Sequence, residues 1–312
     1  MTKLYFYLDE PGAEIWQPAF EAAMPGVDYR PYPHWGSPDE GPAYLFAWEP
    51  EPGLVAKYPN IKAIFSLGAG VDHLTRDPDL PTDIPIIRMS DDGLKEGMAE
   101  FVLMTVLMHH RYMPRMIASQ QKREWRRLFP PLASEVRVGI LGYGALGKVS
   151  AAALKPLGYQ VAAWSRSEKE PEHGVEHFTG TEEFEAFLAR TDILVGLLPS
   201  TPETTNLLNK DTMSLMPKYA SIINVGRGTL INLGDMVDLL DDGHLSAATL
   251  DVFVKEPLDQ ESPLWDHPKV IITPHIASIT RPKSAAEYVA RNIERIEKGL
   301  QPENLLDRYR GY

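Results

Sequence analysis

Residues 138–147 read VGILGYGALG, and KVSAAALKPLG follows at 148–158. Four apolar residues run straight into Gly142-Tyr143-Gly144-Ala145-Leu146-Gly147, and a helical pattern opens there. The spacing G-x-G-x-x-G is weak evidence alone. Between a strand and a helix it predicts a turn that cradles a dinucleotide pyrophosphate. Gly142 permits the tight turn, Gly144 lets a pyrophosphate approach the backbone, and Gly147 lets the helix close on the strand. The free N–H groups of the first helical turn, around Ala145 and Leu146, then face the phosphates. The alternative is a glycine-rich turn that holds no ligand.

Working outward, this turn opens a series of six apolar strand candidates: 136–141, 160–164, 192–198, 221–225, 246–253 and 270–274. Helical segments separate most of them. One is 232–243, in which Asn232 is placed to cap and Leu233, Met236, Val237 and Leu240 form one stripe. Strands alternating with helices predict a parallel, doubly wound sheet. Four further strand candidates precede it, at 4–8, 43–48, 63–67 and 84–89. A long helix is expected from about Glu96, apolar on every side through Met108 and polar from His109 onward. It runs toward Arg127 and is broken before the second series by Pro130-Pro131. The last helix carries Val289, Ile293, Ile296 and Leu300 on one face and is free to return to the first domain. The expected organisation is two α/β domains with doubly wound parallel sheets. Residues 1–103 and 280–312 form one domain, and residues 104–279, which carry the glycine turn, form an inserted Rossmann dinucleotide-binding domain.

The 312 residues carry 31 Lys and Arg against 43 Asp and Glu, a net charge of −12. No basic block interleaves with aromatics, which argues against nucleic acid and anionic membranes as partners. There is no cysteine, hence no disulfide and no thiolate chemistry. The first apolar stretch is too short for a signal peptide, and 101–108, the longest strongly apolar run, is far below the ~18 residues of a membrane span. A cytoplasmic protein is expected. His109 and His110 are adjacent and cannot share a helix face, so no metal pair is expected there, and no metal elsewhere.

The second strand of a dinucleotide fold ordinarily ends in an acid that binds the ribose hydroxyls of NAD. Here Trp164, Ser165, Arg166 and Ser167 fill that end, with Arg166 nineteen residues after Gly147. A guanidinium between two hydroxyls suits a 2′-phosphate, and Lys169 adds charge. The pattern predicts NADP(H), with NAD(H) used more weakly; the alternative is a solvated arginine at a strand end.

Arg227 in NVGRGT, Glu256 in LDVFVKEPL and His275 in TPHIAS stand at the ends of three later strands, where open α/β sheets collect ligands. Each has a bland alternative: an exposed turn, a loop charge, a core cap. Their joint placement favours chemistry. Arg227 can hold a carboxylate and polarise a carbonyl, His275 can deliver a proton to a carbonyl oxygen, and Glu256 can hold the far nitrogen of His275. Ala69 and Gly70, between a strand and a predicted helix, offer N–H groups to a carboxylate. Trp48 is either a pocket wall or a core tryptophan. Arg281 is either a second cation near His275 or the first turn of the last helix.

GYGALG, LPSTPETTNLL, NVGRGTLIN, LDVFVKEPL and TPHIAS, in this order, resemble the D-isomer-specific 2-hydroxyacid dehydrogenases. SLGAGVDHL (66–74), Trp48-Glu-Pro50, SPLWDHP (262–268), TPHIASITRP (273–282) and the RGY end resemble the glyoxylate/hydroxypyruvate reductase A branch of that family. The resemblance implies an NAD(P)-dependent oxidoreductase that reduces glyoxylate and hydroxypyruvate to glycolate and D-glycerate. Arg227, Glu256 and His275 match the family's catalytic Arg, Glu and His. Asp251 matches the residue that orients the nicotinamide carboxamide. Leu198, Pro199 and Thr205 match the cofactor-lining loop, and Val225, Gly226 and Ser278 fall in the matching motifs. A homodimer is implied, through the region after Met108. With no further domain after residue 312, the long phosphoglycerate dehydrogenases are not expected. Two other readings remain: a reductase of another small 2-oxoacid, and a dinucleotide-sensing interaction protein. The intact Arg–Glu–His set argues against the latter, since binding alone needs no proton donor.

Overall fold

The computed structural model describes residues 1–8, 12–170 and 172–308; the RGY end lies outside them. The chain opens with β1 (Lys3–Tyr7), α1 (Ala13–Ala23), β2 (Asp28–Pro31), β3 (Ala43–Ala47), β4 (Ile61–Ser66), α2 (Asp72–Thr75) and β5 (Ile86–Ile87). Helices α3 (Asp92–His110) and α4 (Met113–Gln121) follow. Then come β6 (Arg137–Leu141), α5 (Ala145–Leu154), β7 (Gln160–Ser165), β8 (Val175–Thr179), α6 (Phe184–Ala189) and β9 (Ile193–Gly196). The rest is α7 (Lys210–Ser214), β10 (Ala220–Asn224), α8 (Leu233–Asp241), β11 (Leu245–Leu250), β12 (Val270–Ile272) and α9 (Pro282–Glu297).

Two compact units result. Residues 1–94 and 279–312 form one, and residues 95–278 form the other. The first change-over falls inside α3, nine residues before the expected 103/104. The reason is packing: Leu94 belongs to the core of the first unit, whereas Met98, Val102 and Val106 belong to the core of the second.

The first unit holds a parallel sheet in the order β2-β1-β3-β4-β5. Its inner strands β1, β3 and β4 are apolar on both faces because both are covered. Leu4 and Phe6 pack with Trp16 and Phe20 of α1 and Tyr288, Val289 and Ile293 of α9. Tyr5, Tyr7 and Leu45 pack with Trp35, Leu54 and Leu306. The last helix therefore does return to the first domain. Leu300 lies beyond its end and is exposed, because Gly299, at φ 69°, stops the helix first.

The second unit holds seven parallel strands in the order β12-β11-β10-β9-β6-β7-β8. The order reverses between β6 and β9, and ligands of open α/β sheets gather at such a switch point. The sequence suggested six strands here. The seventh, β8, is an edge strand reading VEHFT, too polar to stand out; β2, an edge strand reading DYRP, was missed for the same reason. The helix after β5 also differs from expectation. It ends at His110, Tyr112 takes a left-handed φ of 58°, and Pro114 in the first turn of α4 cannot continue the earlier ladder. Residues 122–132 are not helical. Nor is α3 buried all round: Met104 and Leu107 are exposed.

His109 and His110, expected at a polar helix end, are both buried. His109 Nε2 lies 2.8 Å from Thr249 Oγ1 on β11, and His110 bridges the Tyr159 hydroxyl and the Pro131 carbonyl. Burial pushes the His109 imidazolium down to about 4 from an ordinary 6.5. The unfolded chain therefore binds a proton that the folded chain refuses between these values. Stability from this residue is complete above pH 6.5 and is lost as pH falls toward 4, by up to about 3 kcal/mol. Urea unfolding from pH 7 to 4 is expected to show this loss, with a shallower pH slope in His109→Gln. Equal slopes would show that His109 titrates normally.

Candidate active site

The glycine turn is shaped by contact. A Cβ on Gly147 would stand 2.1 Å from the Gly142 carbonyl oxygen, and Gly142 itself has φ 114°. Neither position accepts a side chain. Gly144 differs: a Cβ there would meet nothing within 4 Å. It precedes α5, whose first turn has no side-chain cap. An uncapped helix start at Ala145 and Leu146 beside clear space at Gly144 fits a bound pyrophosphate. Gly226 faces the same turn region from β10; its absent Cβ would lie 2.8 Å from the Leu198 carbonyl oxygen. The loop that carries Leu198 and Pro199 is tied internally, by Thr204 Oγ1 to the Pro199 carbonyl at 2.6 Å and Thr205 Oγ1 to the Thr201 carbonyl at 2.9 Å. Val225 is buried and Ser278 half-buried.

Arg166 and Ser167 are exposed just past the end of β7. Buried Ser165 turns its hydroxyl onto the Ser167 carbonyl at 2.8 Å, which shapes the strand exit. The positive charge of Arg166 is felt by Glu203 in the loop after β9. The Glu203 carboxyl sits below its ordinary value, chiefly through hydrogen bonds at Thr201 and its own backbone and partly through Arg166.

Three neighbouring strands carry the ionisable residues. Because β10, β11 and β12 are adjacent and parallel, the segments after them emerge side by side. Arg227 follows β10; Asn224 Nδ2 donates to its carbonyl at 2.9 Å, and its Nη1 donates to the Gly226 carbonyl at 2.8 Å. Glu256 follows β11, and His275 follows β12. His275 Nδ1 lies 2.7 Å from Glu256 Oε2, while Glu256 Oε1 accepts from the Phe253 N–H at 2.7 Å. Burial works to raise the Glu256 carboxyl. The bonds from His275 and Phe253 and the charges of His275 and Arg227 outweigh it, so the carboxyl lies below the ordinary range and stays ionised at neutral pH.

Asp251 organises the turn that carries His275. It is 1% exposed. Its carboxylate accepts from Thr273 Oγ1 at 2.5 Å, Ile276 N–H at 2.9 Å and Ala277 N–H at 2.9 Å, and its carbonyl accepts from His275 N–H at 2.8 Å. His275 is held at φ 55°, a region non-glycine residues seldom occupy. The motif marked Asp251 but gave no sign of this second-layer role, because its partners lie 22 to 26 residues away.

In the first unit, Trp48 is half-buried and stacks on His73 with ring centroids 4.0 Å apart. It is therefore not a core tryptophan. Its ring leaves no room for a Cβ on Gly68, which would lie 2.8 Å from it. Ala69 and Gly70 lie between β4 and α2 in a turn gathered by Ser66, whose Oγ is 2.8 and 2.9 Å from the Gly68 and Gly70 carbonyls. Arg281 is exposed at the N-cap of α9. Nothing in the sequence signalled that His73 would be fixed against Trp48 and lie 3.3 Å from Ser66 Oγ. Among the described residues no cluster of His, Cys, Asp and Glu could hold a metal, and no helix is long and apolar enough to cross a membrane.

A dinucleotide turn, a 2-oxoacid-type Arg–Glu–His set and two parallel α/β units define an NAD(P)-dependent oxidoreductase acting on a hydroxy or oxo acid. The family described as D-isomer specific 2-hydroxyacid dehydrogenase, NAD binding domain, matches residues 103–277. This chain belongs to the D-isomer-specific 2-hydroxyacid dehydrogenases, with a Rossmann domain inserted in a flavodoxin-like domain. It is 39% identical over 315 residues to the glyoxylate/hydroxypyruvate reductase A of Serratia proteamaculans, covering 99% of each chain. It matches the structure of a D-isomer specific 2-hydroxyacid dehydrogenase from Xanthobacter autotrophicus in complex with NADPH and MES, with TM-score 0.95, 41% identity and coverage of 100% and 99%. It also matches the NADPH-dependent glyoxylate/hydroxypyruvate reductase of Sinorhizobium meliloti in complex with NADP and sulfate, with TM-score 0.92, 37% identity and full coverage of both chains.

The segment that carries Glu256 tests the geometry. A Cβ on Gly228 would stand 2.0 Å from the Phe253 carbonyl carbon and 2.3 Å from the Val254 nitrogen. Gly228→Ala must push apart the turn that bears Arg227 and the segment that leads to Glu256. Dehydrogenase turnover is expected to fall by about a hundredfold or more, as misplacement on the order of 1 Å can cost, with far-UV circular dichroism unchanged. Near-wild-type turnover would mean that the loop yields at no cost.

Proposed function

We propose that this chain is an NADPH-dependent reductase of glyoxylate and hydroxypyruvate, forming glycolate and D-glycerate, in the cytoplasm and as a homodimer. The observation that carries the reaction is the 2.7 Å His275–Glu256 pair beside Arg227 at adjacent strand ends. When bound, NADPH supplies the hydride. Arg227 holds the 2-oxoacid and polarises its ketone. His275 gives its Nε2 proton to the carbonyl oxygen, while Glu256 holds Nδ1 and so orients the ring. Asp251 keeps His275 in place and retains lone pairs for a carboxamide. Trp48, Ala69, Gly70 and Arg281 are the substrate-facing groups of the first unit, which is the substrate domain; the second unit is the cofactor domain. Gly142, Gly144, Ala145, Leu146 and Gly147 hold the pyrophosphate. Leu198, Pro199, Thr205, Val225, Gly226 and Ser278 line the rest of the cofactor site.

With hydroxypyruvate and NADPH, the wild type is expected to consume absorbance at 340 nm. His275→Ala should lose about 10²–10⁴ in kcat and keep NADPH binding. A variant with most of its turnover would remove His275 from the proton path.

Arg166 supports the cofactor assignment, with Ser165, Ser167 and Lys169 around it. Charge-assisted bonds to a 2′-phosphate are worth ~1.5–3 kcal/mol, or roughly 10- to 100-fold in affinity. Wild type should favour NADPH over NADH by at least about tenfold in kcat/KM. Arg166→Ala should weaken NADPH strongly and leave NADH nearly unchanged. An unchanged ratio of the two efficiencies at one ionic strength would make Arg166 ordinary surface charge.

Trp125, Phe129 and Leu132 are 94%, 86% and 71% exposed. Met113 and Ile117 are exposed nearby in sequence. So much apolar surface in one segment suits a partner subunit. Light scattering at micromolar concentration is expected to give twice the chain mass of 35.0 kDa; a monomer would refute the assembly.

A further inference from the structure

We infer that Tyr143 and Glu172 form a clasp that positions the segment reading the cofactor's 2′-phosphate, so that cofactor discrimination depends on a pair that need not touch the phosphate itself. This rests on the NADPH reading above.

Tyr143 stands between the first two glycines of the pyrophosphate turn, yet its side chain points inward and is 2% exposed. Its hydroxyl donates to Glu172 Oε2 at 2.5 Å. The other carboxylate oxygen, Oε1, accepts from Lys155 Nζ at 3.2 Å. The Tyr143 ring is held edge-on against His177 of β8, with centroids 4.9 Å apart. Glu172 follows Arg166, Ser167 and Lys169 in the chain, between the end of β7 and the start of β8. Its carbonyl accepts from Val175 N–H at 3.1 Å, and Gly174, at φ 77°, turns the chain back into β8.

Ser165 fixes the exit of β7 through the Ser167 carbonyl, and Tyr143 holds Glu172. Arg166 and Ser167, between Ser165 and Glu172, are exposed. A long cationic side chain reads a phosphate selectively only if its backbone is held, because ordering it on binding costs affinity. The clasp ties Glu172 to the glycine turn between β6 and α5. It also engages a carboxylate that, left loose, would lie in the segment meant to attract a dianion. The tyrosine's acidity changes in keeping with this: burial, then the carboxylate beside it, raises its hydroxyl far above the ordinary value, so it remains a donor. The bond from Tyr143, followed by Lys155, holds Glu172 below its ordinary value and ionised.

The test uses the full chain with Tyr143→Phe, Glu172→Ala and the double variant. Dissociation constants for NADPH and NADH, kcat and KM with hydroxypyruvate, and Tm are measured at one ionic strength. Each single variant is expected to weaken NADPH about tenfold, the order of one charged hydrogen bond. NADH should weaken less than about threefold. The double variant should be no worse than the Glu172 single variant, because that substitution already removes the bond that Tyr143→Phe removes. The effect should appear in KM for NADPH, with kcat at saturation changed little. A merely structural role would lower Tm and weaken both cofactors alike, and that result overturns the clasp. So does a double variant with the product of the two single effects, or unchanged NADPH affinity. A wild type that binds both cofactors equally overturns the NADPH reading and the clasp with it. A wild-type preference for NADPH that survives both substitutions overturns the clasp alone.

Discussion

Everything proposed for catalysis hangs on one buried carboxylate. Asp251, at the end of β11, gathers the Thr273 hydroxyl and two backbone N–H groups of the turn after β12, and its carbonyl takes the His275 N–H. A buried charge is tolerable only when such donors satisfy it. Here they do so by bending the 273–277 turn into a shape that keeps His275 at a left-handed φ. The strain belongs to the turn, and the bonds to Asp251 offset it. With its backbone fixed, His275 meets Glu256 at 2.7 Å. Glu256 in turn is fixed by Phe253 N–H, from a segment wedged against Gly228 beside Arg227. The three ionisable groups are thus coupled through backbone packing as much as through charge.

The cofactor half follows another rule. There the sequence removes atoms: Gly142, Gly147 and Gly226 have no room for a Cβ, and Gly144 leaves an open space before α5. Removing side chains lets backbone N–H groups act as the binding surface. On the NADPH reading proposed above, specificity comes from the neighbouring strand exit, where Arg166 stands in place of the acid typical of NAD sites. One half is built by close approach, the other by a network of acceptors. The sheet brings them together because β6 and β9 meet at the point where strand order reverses.

The glycine turn, the strands apolar on both faces and the three motif ends were legible because each is local or periodic. Four VGIL residues, a spacing of three glycines and an unbroken apolar run specify a parallel core strand entering a helix without reference to anything distant. The edge strands DYRP and VEHFT were not legible, since an edge strand needs no apolar pattern and is defined by its neighbour. The break at Tyr112 and the burial of His109 and His110 were hidden as well. Each depends on what packs against the helix: Thr249 from β11 and Tyr159 before β7.

Thus the sequence by itself determined the fold class, the dinucleotide turn, the missing acid at the second strand and the identities of Arg227, Glu256 and His275. Only the tertiary structure decided how those residues are held. It made Asp251 the staple of the His275 turn, stacked Trp48 on His73, and joined Tyr143 to Glu172 across 29 residues of chain. The physical reason is that composition and short-range spacing fix which groups a strand end presents. A side chain's partners, burial and backbone strain depend on segments that meet only after the sheet has formed.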